Sequence, residues 1–464
     1  MTLFGEAFGV LERVEPMLLV GTVSEVRGLT VRVSDLALPV GAMVDIVSGG
    51  ERRVGEVVGF DDDQTIVMLM GFTSGIRRGD RVLGRQASAT APVGEDLLGR
   101  VVDALGRPRD NGPALREMRQ RPVMPDPTDP MHRVSIDEPL GTGVRAIDTM
   151  LTVGRGQRLG IFAGPGIGKS TLLGQIARDT DADVSVIALV GERGREVSDF
   201  IERSLGPEGL ARSVVVAATG DEPALLRVRA AMYALTVAEH FRDTGRDVVV
   251  FMDSVTRFCH AQRQIGLAIG EPPATRGYTP SVFAMLPTLI ERCGRTRDGS
   301  ITGFYSVLVE GDDMTEPVAD ACRGILDGHV VLSRKLAGEA HWPAIDVVDS
   351  ISRLARDVTD RAHQAARDEV LRLISQYRQV EDLVNIGAYA AGSNPMADLA
   401  IEMKDSIDLL LRQPAEDHAP FDKARGQLLA LGQMIAQRAG QMARGQQAQA
   451  QAQGQAQGQG RPAR

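Results

Sequence analysis

Ala163-Gly164-Pro165-Gly166-Ile167-Gly168-Lys169-Ser170-Thr171 is the stretch on which the reading of the whole chain turns. Gly160-Ile161-Phe162 before it is an apolar run with strand character. Leu172-Leu173-Gly174-Gln175-Ile176-Ala177-Arg178 after it has helix character. Strand, glycine loop, Lys-Ser and helix, in that order, make a phosphate cradle. The glycines carry no Cβ, so successive backbone N–H groups can curl inward on an anion. The helix N-terminus adds its dipole. Lys169 is expected to reach the β- and γ-phosphates of a nucleotide, and the Ser170 hydroxyl to ligate Mg²⁺. Gly164, Pro165, Gly166, Ile167, Gly168 and Thr171 complete the expected phosphate contacts. One position departs from the strict pattern, which has glycine where this chain has Ala163.

Two further strand ends carry groups that nucleotide hydrolysis requires. Asp183–Val190 is rich in Val and Ile, and Gly191-Glu192-Arg193-Gly194-Arg195-Glu196 follows it. Glu192 can accept a proton from an attacking water or orient it. Arg193 can hold a phosphate or fix Glu192. The plain alternative is a solvated helix start, where glutamate is favoured by the dipole. Val248-Val249-Val250-Phe251-Met252-Asp253 is an apolar strand ending in a carboxylate, and Asp253 is expected to hold Mg²⁺ with Ser170. Each feature alone is common; the three in this order are not.

Bulk properties narrow the class. The chain has 464 residues, enough for two or three domains with buried cores. Hydrophobic residues make up 43% and charged ones 24%, as in ordinary globular proteins. Aromatics are only 4%, so the cores must be aliphatic. A formal net charge of −9 argues against a dedicated nucleic-acid binder, and no nucleic acid is expected as a partner. Cys259, Cys293 and Cys322 are widely spaced and form neither a metal-ligand pattern nor a disulfide framework, which suits a reducing cytoplasm. Cys259-His260 beside the Asp253 strand is read as structural. No run is long enough for a transmembrane helix, and the N-terminus, with Glu6 and no basic region, does not read as a signal peptide.

In chain order, residues 1–16 are amphipathic, either a frayed helix on the first domain or a docking segment for a partner. Residues 17–95 read as a β-barrel. Short strands at Met17–Val26, Leu29–Val33, Ala42–Ile46, Val54–Gly59, Gln64–Met70 and Asp80–Leu83 are divided by turn signals. Residues 96–358 form the nucleotide domain. It opens on a Pro/Gly-rich connector that runs to about 145, of which Arg121–Pro130 should be extended and unpaired. Alternating strands and helices then imply a mostly parallel sheet. One helix is expected from about Arg195 to Leu205 and another over Pro223–Phe241. Residues 359–443 read as helical. Asn394 caps a helix with Pro395 at its first position, with a stripe of Leu399, Met403, Ile407, Leu410 and Leu411. Leu428, Leu429, Met434 and Ile435 mark the next helix. Residues 444–464, rich in Gln and Ala, are expected to be a disordered tail.

Three blocks carry a resemblance to a known family. Gly191-Glu192-Arg193-x-Arg195-Glu196, Asp253-Ser254-Val255-Thr256-Arg257-Phe258 and Pro343-Ala344-Ile345-Asp346-x-x-x-Ser350-Ile351-Ser352-Arg353 resemble the catalytic subunits of rotary ATP synthases. Gly270–Tyr278 and Leu308–Pro317 resemble its type III protein-export branch, which tolerates alanine at the Ala163 position. Ala274-Thr275-Arg276-Gly277-Tyr278 tilts the resemblance to the flagellar system over the virulence injectisome. The resemblance covers nearly the whole chain except the tail.

It implies a β-barrel, a RecA-like P-loop ATPase core of α/β class and a C-terminal helical domain. It implies a homohexameric ring using ATP and Mg²⁺, working as a motor that promotes unfolding and delivery of export substrates. Arg353 would be an arginine finger reaching a neighbour's γ-phosphate; a plain salt bridge is the alternative. Trp342 stands where the family stacks an aromatic, usually tyrosine, on adenine; core filling is the alternative. Phe421 falls at a second adenine contact. Glu271–Tyr278 would face the central channel, and the N-terminal segment would bind a stator-like regulator. A stalk protein, export substrates and their chaperones would be further partners. The chain would be cytoplasmic and peripheral at the export gate of the inner membrane. Two other readings are a non-catalytic ring subunit, disfavoured by Glu192 beside Lys169 and Asp253, and an RNA-translocating hexamer, disfavoured by the acidic balance.

Overall fold

A computed structural model of the chain describes residues 19–458 apart from 87, 310 and 312. The expected docking segment, residues 1–16, lies outside the described residues. Six strands close the first barrel: β1 (Val20–Arg27), β2 (Thr30–Ser34), β3 (Met43–Ser48), β4 (Glu51–Asp61), β5 (Gln64–Leu69) and β6 (Arg81–Gln86). Their order around the barrel is β1-β2-β5-β4-β3-β6. Alternate side chains such as Val31, Val33, Val44, Ile46, Val57 and Val82 fill its interior, as the two-residue period of a strand requires.

The connector is more structured than its composition suggests. β7 (Thr90–Val93) pairs with β9 (Arg119–Pro122), and Pro122 stands opposite Thr90. The expectation of an unpaired stretch from Arg121 therefore fails at its first two residues. They end the ladder, where proline's missing N–H costs least. Between them β8 (Arg100–Val102) joins the edge of the central sheet. β10 (Pro139–Leu140) and β11 (Val153–Gly154) make a small antiparallel ladder.

The remaining strands are β12 (Arg158–Ala163), β13 (Val184–Val190), β14 (Ser213–Ala218), β15 (Asp247–Asp253), β16 (Gly294–Arg295), β17 (Ser300–Leu308), β18 (Gly328–Leu332) and β19 (Ile345–Ser352). They form a nine-stranded sheet in the order β19-β18-β12-β17-β15-β13-β14-β8, with β16 on β17. All pairs on this path are parallel except β18 with β19. The strands are apolar throughout because both faces are covered. Val184, Val186, Ala188 and Val190 face a core shared with the helices Ala224–Arg242 and Val255–Ala268. Ile187 and Leu189 face the other core, shared with Lys169–Asp179 and the C-terminal helices.

Arg361–Asn385, Pro395–Leu411 and Phe421–Gly458 are the long C-terminal helices. Asn394 caps the second, its side chain accepting from the Met396 and Ala397 N–H groups. Leu399, Met403, Ile407, Leu410 and Leu411 are buried as their spacing requires, and so are Leu428 and Ile435. Met434 is 46% exposed and off the stripe. The last helix runs to Gly458, where the composition predicts a structureless tail. Ala and Gln are good helix formers, so local propensity carries the helix beyond its packed part. The expected helix over Arg195–Leu205 is divided: Gly194–Asp199 is α-helical and Phe200–Leu205 widens to a π-helix.

Candidate active site

The three sequence features meet at the carboxyl ends of parallel strands, where α/β sheets bind ligands. The loop Gly164–Gly168 leaves β12, Glu192 follows β13 and Asp253 ends β15. Gly166 and Gly168 have φ of 78° and 83°, a conformation that favours glycine, so the curl of the loop depends on them. Gly168 precedes the helix Lys169–Asp179. A Cβ on Gly168 would lie 2.9 Å from Cζ3 of Trp342, so close approach also demands glycine there.

Lys169 Nζ pairs with Asp253 Oδ1 at 2.5 Å, and both side chains are largely buried. Ser306 Oγ donates to the same oxygen at 3.0 Å. Glu192 is half-buried and its Oε1 has no hydrogen-bond partner. Its carboxyl is pushed up to about 7, first by burial and then by the Asp253 charge; Lys169 and Arg257 oppose this. A carboxylate with that value can accept a proton near neutral pH. Arg193 lies elsewhere: it is 82% exposed and pairs with Glu196 at 3.4 Å. Its contacts are with Glu196 at the start of the helix Gly194–Asp199, and its hydrogen bonds do not reach Glu192.

Ser170 and Thr171 are exposed at the first turn of the loop helix. Trp342 is 42% exposed, which rules out core filling. It lines a cavity of about 460 Å³ with Gly166, Gly168, Gln175, Pro343, Gln413 and Glu416. Its carbonyl accepts from Gln413 N at 2.8 Å, which ties both walls together. Phe421 does not line this cavity. Its ring stacks on His363 with centroids 6.4 Å apart. The wall facing Trp342 is instead Gln413–Glu416, ahead of the last helix.

Arg353 is exposed, and its Nη2 donates to the Arg323 carbonyl at 3.3 Å. Leu332 pairs with Ile345 at the phosphate-loop end of the sheet, and Gly328 pairs with Ser352 at the other. The length of β19 puts Arg353 roughly 20 Å from the loop of its own chain. Two cations near the site, Arg334 and Arg227, escape the sequence motifs, and a third, Arg257, stands in a motif that gave it no role. The Arg334 guanidinium lies against Gly164, where a Cβ would be 2.6 Å from Nη2. Arg257 packs its stem beneath Gly191, and Arg227 lies behind it. Only folding brings these together, so no local spacing signals them. Cys259 is fully buried, and His260 stacks on Tyr278. Among the described residues no cluster of three or more His, Cys, Asp or Glu could hold a metal ion. None of their helices is long and apolar enough to cross a membrane.

This geometry agrees with what the chain is similar to. Residues 143–352 match the nucleotide-binding domain of the ATP synthase alpha/beta family, and residues 23–84 match that family's beta-barrel domain. Residues 359–430 match the T3SS EscN ATPase C-terminal domain. The flagellum-specific ATP synthase of Treponema pallidum is 49% identical over 92% of this chain and 96% of its own. The type 3 secretion system ATPase of Xanthomonas euvesicatoria is 46% identical over 87% and 91%. Among solved structures, the assembled ATPase EscN with its central stalk EscO, from enteropathogenic E. coli, has a TM-score of 0.83. It is 41% identical and covers 89% of this chain and 100% of that one.

The chain belongs to the ATP synthase alpha/beta family. Within it the chain is an ATPase, and it sits with the flagellum-specific and type III secretion enzymes.

Proposed function

We propose that this ATPase is the motor subunit of the flagellar protein-export apparatus. Its residues 143–352 would hydrolyse ATP to promote unfolding and delivery of export substrates. The observation that carries the catalytic reading is the Lys169–Asp253 pair at 2.5 Å, with the half-buried Glu192 at the next strand end.

In the proposed reaction the loop N–H groups bind the phosphates, and Lys169 exchanges Asp253 for the β- and γ-phosphates. Trp342 stacks on adenine. The donors near the phosphates are hard oxygens, the Asp253 carboxylate and the Ser170 hydroxyl, which suit Mg²⁺; it takes one or two carboxylates and otherwise phosphates and water. Bound there, Mg²⁺ would neutralise charge on the phosphates. Glu192 takes a proton from water as its oxygen attacks the γ-phosphorus and the bond to the β-phosphate oxygen breaks. Phosphate and ADP leave, and Glu192 then returns its proton to solvent. The finger contact comes from Arg353 of a neighbouring copy, since its own loop is out of reach. A homohexamer supplies that neighbour; the assembled ATPase EscN with its central stalk EscO offers the analogy. Glu271–Tyr278 is assigned to the channel of that ring. A stator-like regulator at residues 1–16, a stalk, chaperoned substrates and the membrane export gate complete the expected partners of a cytoplasmic, peripherally bound enzyme.

The test is ATP turnover by the purified chain across protein concentrations, with and without RNA. Turnover that rises with assembly and ignores RNA supports the reading; RNA-dependent turnover, or none, overturns it. The similarity to the Xanthomonas enzyme keeps the injectisome as a second reading. Restored motility in a strain lacking its flagellar export ATPase would favour the first, and failure there with rescue of effector secretion would favour the second.

A further inference from the structure

The helix Lys169–Asp179 runs from the phosphate loop along one wall of the Trp342 cavity. Gly168, Thr171, Leu172 and Gln175 all line that cavity. They stand at i, i+3, i+4 and i+7, so they form one stripe of the helix. Gln175 is the member of the stripe farthest from the loop, about 9 Å along the axis from Lys169. Lys169 marks the phosphates, so a base beyond the ribose lies at that depth.

Two glutamines meet at this wall, and their amides are used differently. Gln413 is fully engaged. Its Nε2 donates to the Gly143 and Asp417 carbonyls at 2.8 and 2.7 Å, and its Oε1 accepts from Arg145 N at 2.8 Å. Gln175 Nε2 donates to the same Asp417 carbonyl at 3.3 Å. A carbonyl oxygen only accepts, so it fixes which end of the Gln175 amide faces it. Gln175 Oε1 is therefore turned away from Asp417. It accepts from no group among the described residues, and it is not one of the buried atoms sealed without a partner. Gln175 is only 3% exposed, and its opening is the cavity. A fixed hydrogen-bond acceptor without a partner thus faces the space beside Trp342.

We propose that Gln175 reads the exocyclic 6-amino group of adenine and so selects adenine nucleotides over those with a 6-oxo purine. The base lies beside Gln175 only if it stacks on Trp342, the reading given above. An adenine N–H then donates to Oε1. Hypoxanthine and guanine carry an oxygen at the same position, and two acceptors would face each other. The amide cannot turn over to donate instead, because its oxygen would then meet the Asp417 carbonyl. Glu416 lines the cavity as well, but it is exposed, and water competes for its carboxylate.

Calorimetric titration of the full chain with ADP, inosine diphosphate and purine riboside diphosphate, which has no group at position 6, tests this role. ADP should bind about tenfold or more tighter than inosine diphosphate. The unsubstituted purine should fall between them, since a missing donor costs less than an opposed acceptor. Trp342 fluorescence should saturate with all three. Gln175→Met has similar bulk and leaves the Asp417 carbonyl paired with Gln413, and it should bring the three affinities together. Gln175→Leu is a second truncation with the same expectation, and Glu416→Ala should keep the ADP preference. Equal binding of ADP and inosine diphosphate by the wild type, with Trp342 fluorescence still saturating, refutes Gln175 as the reader and leaves the adenine cavity standing. A preference that persists in both Gln175 variants, or that is lost in Glu416→Ala, also refutes it. A preference without any Trp342 signal puts the base elsewhere, and the cavity reading then falls together with the role of Gln175.

Discussion

The two ends of the central sheet are built differently. At the carboxyl end of β12, β13 and β15 one chain brings together the phosphate loop, Lys169, Asp253 and Glu192. Lys169, Asp253 and Glu192 are buried or half-buried, and an ion pair joins the first two. At the far end of β19, Arg353 is exposed and held by one carbonyl. A residue preorganised inside its own fold is fixed by packing. A residue meant for a neighbour must stay on the surface. On the proposed reading one chain carries most of one site and a piece of another, and substitutions at the two ends should fail in different ways.

The largest effect is expected at the exposed end. Arg353→Ala should lower kcat by about 10³–10⁵, the range for arginine fingers, and leave the thermal melt unchanged. Equal turnover in the variant and the wild type would make Arg353 a surface side chain and dissolve the contrast. Glu192→Gln should lower kcat by about 10²–10⁴ and keep ATP affinity, whereas Lys169→Ala should lose affinity itself. Equal loss of affinity in both would end that division of labour. In the wild type kcat/KM should rise with pH through an inflection near 7, because the Glu192 carboxyl must be ionised to accept a proton. A flat profile between pH 6 and 8 would remove Glu192 as the base.

A smaller effect is expected at the nucleotide cavity. Trp342→Ala should weaken ADP binding about tenfold, since stacking on a base is worth about 1–3 kcal/mol, and Trp342→Tyr should retain most of it. Trp342 is the only tryptophan, so fluorescence titration reads the contact directly. A signal that does not saturate with nucleotide would place adenine elsewhere.

The smallest effect lies far from both ends, where burial pushes the Glu56 carboxyl up to about 7 against the pull of Arg229 at 3.8 Å. Its folded value exceeds its unfolded one, so its stability contribution is complete below about pH 4.5 and is lost as pH rises through 7. Glu56→Gln should therefore raise the melting temperature more at pH 8 than at pH 5. The opposite order would mean that the Arg229 pairing outweighs burial.

What the sequence made legible follows the same division. The loop, Lys169, Glu192 and Asp253 were readable because strand-end chemistry sits beside its own hydrophobic run. The six barrel strands were readable from alternation and turn signals, and Asn394-Pro395 from cap chemistry. β8 was hidden because three residues in a Pro/Gly-rich stretch show no period, and only the edge of a distant sheet makes them a strand. Phe421 was misplaced because its spacing says nothing about the turn before the last helix, which sends its ring to His363. The sequence does not show that Arg193 pairs with Glu196 and not with Glu192, because its exposure is set by the turn of the Gly194–Asp199 helix. Arg227 and Arg334 carry no local signal, since their neighbours come from other parts of the chain.

The most direct test mixes two inactive variants, Glu192→Gln and Arg353→Ala. Each alone should be nearly dead, for opposite reasons. In equimolar mixed rings about a quarter of the interfaces join an intact Glu192 to an intact Arg353, if subunits assort at random around a closed ring. The mixture should therefore recover turnover far above either variant, rising with assembly. A mixture that stays as inactive as its components, while light scattering shows that mixed rings have formed, would contradict a finger supplied by the neighbour.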